Sequence, residues 1–162
     1  MKKLFIIRHA KSDWDNPALD DYDRPLNKRG EKNAPTIGKM LAQKGIKPDL
    51  IISSPALRAI TTAQLIAKEV QYEKNITPNQ YIYEAYVTAL QEIVEYLYDE
   101  NETVFLVGHN PGVSALAYML CDLKESLPTC AVVEIEFDCN SWMDASKENS
   151  RLVSYEYPKK QK

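Results

Sequence analysis

Both histidines of this chain stand directly after short apolar segments. His9 follows Leu4-Phe5-Ile6-Ile7 and Arg8, and His109 follows a second apolar segment, residues 103–108. Each segment is apolar on both faces and too short for a helix, which is typical of a buried parallel strand. In open α/β sheets, ligands bind at the carboxyl ends of the strands. The pattern therefore predicts that Arg8, His9 and His109 meet at one edge of a sheet.

A second arginine is expected at the same edge. Arg58 comes shortly after a third apolar segment, residues 50–53, where Ser54 and Pro55 are expected to begin a helix. Arg58 would then lie in the first helical turn, beside the strand end. Helix amino termini at Pro55 and Asn110 add partial positive charge there. Two guanidinium groups, two imidazoles and two helix termini are the donors that a phosphoryl group requires.

Apolar periodicity and turn residues indicate the elements that would position these side chains. Their early order, strand–helix–strand–helix–helix–strand–helix, predicts a three-layer α/β/α sandwich around a mostly parallel (mixed) central sheet. The 162 residues suit one domain, which we assign to residues 1–158, with residues 159–162 as a frayed tail. The expected strands are 4–9, 50–53, 103–107, 130–137 and 151–157, with an extended piece at 81–83 and a hairpin-like connection at 140–149. The expected helices are one between its cap Asn27 and its stop Gly45, then 55–70, 87–99 and 110–120.

Composition narrows the functional class. The net charge of −3 argues against a protein that coats nucleic acid or binds a membrane surface, because both carry a basic excess. No run approaches the ~18 apolar residues of a membrane span, and the N-terminal segment lacks a signal-peptide pattern. Three cysteines without a CxxC pair fit a reducing compartment. We therefore expect a cytoplasmic protein.

Four blocks of the sequence resemble one family of enzymes. Leu4–Ala10 is similar to the Arg-His signature of the histidine phosphatase superfamily, although Ala10 stands where many members have glycine. The blocks 23–30, 53–63 and 107–112 are close to the phosphohistidine phosphatase branch, the SixA type, and follow the family's order. The resemblance implies a phosphoglycerate mutase-like fold and phosphatase activity.

The resemblance also implies roles for the four residues at the sheet edge. His9 is the expected nucleophile and becomes a phosphohistidine. Arg8 and Arg58 clamp the phosphoryl oxygens, while His109 stabilises the transferring group. Elementary chemistry agrees, because an unperturbed imidazole with a pKa of ~6.5 is a competent nucleophile at neutral pH. The arginines neutralise the oxygen charge, so neither a metal ion nor another cofactor is expected. Water would then hydrolyse the adduct.

The proton donor is less well defined by the sequence. Glu84 lies in chain order between Arg58 and His109, where many members carry the acid, and it could protonate the leaving oxygen. The alternative is a solvent-exposed glutamate at a helix start. A phosphohistidine substrate reduces the need for such an acid, because solvent can protonate the leaving imidazole.

Some further residues are candidates for the site because of their positions in the sequence. Lys11 and Ser12 directly follow His9 and could donate to phosphate, or could be solvated loop residues. Arg24 could touch the substrate phosphate or anchor the loop through its aspartate neighbours. Asn110 is expected to cap a helix rather than contact substrate, and Trp14 could line the mouth of the site.

The substrate is inferred from the short connection between the helix of Arg58 and Glu84. No lid subdomain fits there, so we expect an open, shallow pocket that suits phosphohistidine on the surface of a partner protein. Two alternatives stay open. One is a broad phosphomonoesterase for small phosphate esters, and the other is a phosphate-binding or phosphoprotein-binding module without turnover. The oligomeric state does not follow from the sequence, and a monomer is compatible with it.

Overall fold

Alternating strands and helices form three layers in the structure, a computed structural model that describes residues 1–161. The described strands are β1 Lys2–Arg8, β2 Leu50–Ser53, β3 Thr77–Pro78, β4 Thr103–Gly108, β5 Val132–Phe137 and β6 Ser150–Glu156. The described α-helices are α1 Lys28–Gln43, α2 Leu57–Glu69, α3 Val87–Glu95 and α4 Gly112–Cys121. Within residues 1–161, no helix is long and apolar enough to cross a membrane.

The strands form one mixed sheet in the order β3-β2-β4-β1-β5-β6. The first four strands of the chain run parallel. β5 is antiparallel to β1, and β6 is antiparallel to β5. The predicted α/β class with a mixed sheet is therefore confirmed, and the direction of the last strands, which the sequence left open, is antiparallel. β1 and β4 lie side by side in the middle of the sheet.

Both faces of the sheet are covered, which explains the unbroken apolar run of β1. Side chains alternate along a strand, so Leu4 and Ile6 join the core formed with α3 and α4. Phe5 and Ile7 join the opposite core, formed with α1 and α2. Burying each of these side chains contributes roughly 1.5–3 kcal/mol. β1 is consequently a rigid support for the polar residues at its carboxyl end.

The long loop between β1 and α1 is tied down at both ends. Ser12 forms an isolated antiparallel bridge with Leu26. As predicted, the Asn27 side chain caps α1 by accepting from the Gly30 N–H at 2.8 Å. A Cβ on Gly30 would collide with the main-chain oxygen of Lys11, so the missing side chain lets the loop approach the helix closely. The predicted stop at Gly45 is also confirmed, with a φ of 75°.

The predicted start of α2 is wrong by two residues. The helix begins at Leu57, whereas Pro55 was expected as its first residue. The Ser54 hydroxyl accepts from the Ala56 N–H at 3.2 Å, and this local turn delays the helix. Arg58 nevertheless remains in the first turn, so its expected position beside the strand end is unaffected.

Some other predicted elements also differ. The extended piece expected at 81–83 is instead a 3-10 turn, Gln80–Ile82, because the Asn79 side chain accepts from the Tyr81 N–H. The sheet residues of this region are Thr77–Pro78, where no strand was predicted. α3 ends at Glu95 rather than residue 99. α4 begins at Gly112 rather than residue 110, and β5 begins at Val132 rather than residue 130. The expected hairpin-like connection contains the 3-10 turns Trp142–Asp144 and Lys147–Asn149. A 3-10 turn, Pro158–Gln161, lies where a frayed tail was expected, and Lys162 lies outside the described residues.

Candidate active site

The register of the central strands brings the two histidines together. β1 and β4 are parallel neighbours in which Arg8 pairs with Gly108, so His9 and His109 leave the sheet side by side. Their ring centroids are 5.1 Å apart. The end of β2 joins the same edge, because the Ser54 N–H donates to the Val107 carbonyl at 3.0 Å. Three strand ends therefore converge, as the sequence predicted.

A cavity of about 270 Å³ opens at this edge, and we call it the histidine cavity. Its described lining consists of Arg8, His9, Lys11, Ser12, Trp14, Asp21, Arg24, Arg58, His109, Asn110 and Thr129. Larger grooves lie elsewhere on the surface, but their described linings contain neither histidine. The lining of the histidine cavity has four arginine and lysine side chains and one carboxylate among the described residues. That excess of positive charge favours an anion.

His9 is held with one ring nitrogen free to react. Its Nδ1 donates to the Ala10 carbonyl at 2.7 Å, which leaves the lone pair on Nε2. Desolvation lowers the pKa of His9 to about 4, with help from the charges of Arg58 and Arg8, although the Ala10 carbonyl acts in the opposite direction. The ring is therefore neutral at physiological pH, which is the form that can attack phosphorus.

His109 is arranged as a hydrogen-bond donor. Its Nε2 lies 2.8 Å from the Ser54 hydroxyl, which already accepts from the Ala56 N–H. The hydroxyl proton is thus available to Nε2, and we assign the ring proton to Nδ1. Desolvation first, then the nearby His9 and Arg58 charges, lower the pKa of His109 to about 3. Ser54 was not singled out from the sequence as a partner of His109, because the two residues meet only through the sheet.

Three buried nitrogens of this region have no hydrogen-bond partner among the described residues. They are Arg8 Nε, Arg24 Nε and His109 Nδ1. All three belong to side chains that line the histidine cavity. A buried donor without an acceptor costs ~1–3 kcal/mol, and phosphoryl oxygens would supply the acceptors. The donor set therefore fits a phosphoryl group.

The two predicted clamping arginines are fixed by main-chain carbonyls. Arg8 donates to the Leu127 carbonyl at 2.8 Å. Arg58 donates to the Asp21 carbonyl at 2.7 Å and to the Asp21 carboxylate at 3.0 Å. Both guanidinium groups are consequently held in place before a ligand arrives, which reduces the entropy lost on binding.

Of the two roles that the sequence left open for Arg24, the structure shows the contact with an aspartate neighbour, and the same side chain lies at the cavity wall. It lines the histidine cavity with Lys11 and Ser12, and its Nε lies 3.5 Å from the Asp21 carboxylate. Its guanidinium also stacks on the Trp14 ring. Trp14 lines the cavity as expected.

Asn110 does not cap α4, whose amino-terminal cap is Pro111. It lines the histidine cavity, and its amide donates to the Leu127 carbonyl at 2.9 Å. The expected capping role was wrong because the oxygen of Asn110 accepts from the Ser114 hydroxyl rather than from a helix N–H. Asn110 therefore connects α4 to the loop that carries the carbonyl bonded by Arg8.

Glu84 is not brought into the histidine cavity. It is exposed and does not belong to the described lining, and its backbone is left-handed with a φ of 53°. The neighbouring Tyr83 faces the site instead, with its ring 5.5 Å from that of His109 and its hydroxyl 2.6 Å from the Asp21 carboxylate. Asp21 was not predicted as a site residue from the sequence. The sequence features that could have pointed to it are its position three residues before Arg24 and the unusual length of the loop between β1 and α1.

The fold and site together define a class of protein, an α/β protein with a pair of histidines in a cationic cavity that fits a phosphoryl group. The sequence profile described as "Histidine phosphatase superfamily (branch 1)" matches residues 4–84. The chain belongs to this superfamily, and it is an enzyme of the phosphatase type.

Known proteins agree with this assignment. An uncharacterised chloroplastic protein of Arabidopsis thaliana is 34% identical over 153 residues, which cover 89% of this chain and 70% of the relative. A protein of Agrobacterium tumefaciens assigned as a phosphohistidine phosphatase SixA is 26% identical, with a TM-score of 0.84 and coverage of 97% and 98% of the two chains. The protein histidine phosphatase SixA complexed with tungstate shares the fold, with a TM-score of 0.83, 19% identity and 99% coverage of both chains. The predicted SixA-type branch is thereby confirmed.

Proposed function

We propose that the protein hydrolyses phosphohistidine in proteins through a covalent intermediate on His9. The observation that carries the proposal is the state of that ring. It is buried and neutral, Nδ1 is occupied by the Ala10 carbonyl, and Nε2 remains for attack in a cavity rich in guanidinium groups.

The proposed reaction has two steps. In the first, His9 Nε2 attacks phosphorus and the bond to the substrate nitrogen breaks. In the second, water attacks the phosphohistidine of His9, releasing phosphate and restoring the neutral ring. Arg8, Arg58 and His109 donate to the phosphoryl oxygens throughout and stabilise their charge where a metal ion would otherwise act. Lys11, Ser12 and Arg24 are proposed to add donors at the wall of the cavity.

The shape of the site supports a protein substrate. Residues 70–86, which connect α2 and α3, form only short elements and add no helical subdomain over the described cavity. A cavity of about 270 Å³ accepts one phosphoryl group and the side chain that carries it, rather than a large metabolite. The proposed partner is therefore a phosphorylated protein that presents phosphohistidine at its surface. We further propose a cytoplasmic location, since the three cysteines are free and suit a reducing compartment.

The test compares wild type and His9→Ala on a phosphohistidine protein and on a chromogenic aryl phosphate, each with and without EDTA. Wild type should release phosphate from phosphohistidine with EDTA present, and His9→Ala should not. Full activity of His9→Ala, or loss of wild-type activity in EDTA, would contradict the proposed chemistry. Turnover of the aryl phosphate alone would favour a phosphomonoesterase. Phosphate binding without any turnover would favour a binding module.

The prediction that Glu84 donates a proton can be decided with the same substrates. Glu84→Gln should be measured beside wild type on both. A loss confined to the phosphate ester would assign the donor role to Glu84. Equal rates for the two proteins on both substrates would remove that role.

A further inference from the structure

Asp21 is the one carboxylate among the described residues that line the histidine cavity. It lies in the long loop after β1, and the fold brings it into contact with Arg58 and Tyr83, which are distant in sequence. Its Oδ2 accepts from the Arg58 guanidinium at 3.0 Å and from the Tyr83 hydroxyl at 2.6 Å. Its Oδ1 lies 3.5 Å from Arg24 Nε, beyond a good hydrogen bond. One carboxylate oxygen is thus left to accept from a substrate.

The surroundings of Asp21 keep it ionised. Partial desolvation acts to raise its pKa, but the hydrogen bonds from Tyr83 and Arg58, together with the charges of Arg58 and Arg24, outweigh that effect and lower the pKa below its ordinary value. Its side chain is 46% exposed, so a substrate can reach it. An ionised carboxylate accepts hydrogen bonds and cannot give a proton to a leaving group.

An anionic side chain opposes phosphate binding, and the bonds of Oδ2 to Arg58 and Tyr83 leave Oδ1 of Asp21 to recognise another part of the substrate. A seryl or alkyl phosphate ester leaves as an alkoxide and needs a proton donor, which an ionised Asp21 is not. Phosphohistidine is different, because its second ring nitrogen binds a proton near neutral pH. A nearby carboxylate favours this cationic form of the ring.

We propose that Asp21 determines the specificity of the site for P–N over P–O bonds by accepting a hydrogen bond from the protonated second ring nitrogen of the substrate phosphohistidine. This inference rests on the proposed function and names the substrate feature that the site recognises. In the transfer step, a bond forms between phosphorus and His9 Nε2 while the bond from phosphorus to the substrate nitrogen breaks. The electron pair stays on that nitrogen. Because the second nitrogen already holds its proton, the group leaves as neutral imidazole and no proton has to move.

The experiment compares wild type, Asp21→Asn and a matched control, Asp23→Asn. Asp23 lies in the same 3-10 turn, is exposed, and is not part of the described lining, so its substitution changes the net charge equally. The substrates are a phosphohistidine peptide and an aryl phosphate whose leaving group needs little proton assistance. In Asp21→Asn, kcat/KM for the peptide relative to the aryl phosphate should fall about tenfold or more, as expected for one lost hydrogen bond to a charged group. Asp23→Asn should keep the wild-type ratio.

A purely structural role of Asp21 gives a different result. If Asp21 only positions Arg58, both substrates should lose activity in parallel and inhibition by tungstate should weaken. The proposal instead expects tungstate to inhibit Asp21→Asn at least as strongly as wild type, because a negative charge has left an anion site. Parallel losses, or an unchanged ratio, would overturn the proposal. Wild type that cleaves the aryl phosphate but not the phosphohistidine peptide would instead refute the proposed function, before any variant is compared.

A second variant separates the carboxylate from its hydrogen-bond network. Tyr83→Phe removes one donor to Asp21 Oδ2 and leaves the carboxylate and its bond to Arg58 in place. We expect its peptide-to-aryl ratio to stay within about twofold of wild type, since the charge that recognises the ring is retained. A fall as large as that of Asp21→Asn would assign the specificity to the tyrosine and overturn the role of Asp21.

Discussion

The low pKa of His9 makes the stability of the protein depend on pH. Desolvation is the main cause, the Ala10 carbonyl opposes it, and the charges of Arg58 and Arg8 add to it, so that the pKa falls from 6.5 to about 4. The difference between these two values corresponds to about 3 kcal/mol of unfolding free energy. Because the folded state disfavours the protonated ring, this contribution is complete above pH 6.5 and is lost as the pH falls towards 4.

The assay is urea unfolding of wild type and His9→Ala at a series of pH values. The variant lacks this ring, so the free energy of unfolding of wild type should decline relative to that of the variant by about 3 kcal/mol between neutral pH and pH ~4. The carboxylates titrate in both proteins and cancel in the difference. His109 cancels only in part, because His9 contributes to its low pKa. An NMR titration of the His9 ring in the folded protein should give the same low pKa.

The pH dependence of activity should also reflect the ionisation of His9. The acid limb of kcat/KM reports the free enzyme and the free substrate. After correction for the titration of the substrate phosphoryl group, it should lie near pH 4 rather than near the pKa of 6.5 of an exposed histidine. A ring pKa close to 6.5, or parallel pH dependence of stability in wild type and His9→Ala, would refute the reasoning from burial and charge.

Three further substitutions test the supports of the site. Arg58→Lys should lower kcat/KM, measured by steady-state kinetics, by roughly 10²–10³. An ammonium group lacks the planar set of donors with which the guanidinium can bind the Asp21 carbonyl and a phosphoryl group together. Gly30→Ala should destabilise the fold by roughly 1–3 kcal/mol in urea unfolding, since its Cβ would meet Lys11. Ser54→Ala should lower kcat while the fold persists, because the proton on His109 is no longer fixed; an unchanged kcat would contradict the assigned donor.

The four central site residues could be predicted from the sequence because local patterns determine their positions. A run that is apolar on both faces and too short for a helix indicates an interior strand, and the residue after such a strand lies at the sheet edge. His9 and His109 each follow such a run. Arg58 was predicted correctly at the edge even though α2 starts later than expected, since a shift of two residues keeps it in the first turn.

The features that escaped prediction depend on contacts that are distant in sequence. Asp21 meets Arg58 across 37 residues, and Tyr83 meets Asp21 across 62. The hydrophobic periodicity of a sequence does not predict contacts between residues so far apart. Local side-chain bonds had a similar effect on element boundaries, since the hydroxyl of Ser54 delays α2 and the amide of Asn79 turns the following residues into a 3-10 turn.

The most direct test of the central claim is to trap the intermediate. The enzyme would be mixed with a phosphohistidine protein carrying labelled phosphate, quenched in alkali within the first turnovers and digested for mass spectrometry. We predict an acid-labile label on the peptide that contains His9, attached at Nε2, and its absence from His9→Ala. Turnover without any labelled enzyme, or a label on His109 or another residue in place of His9, would contradict the account.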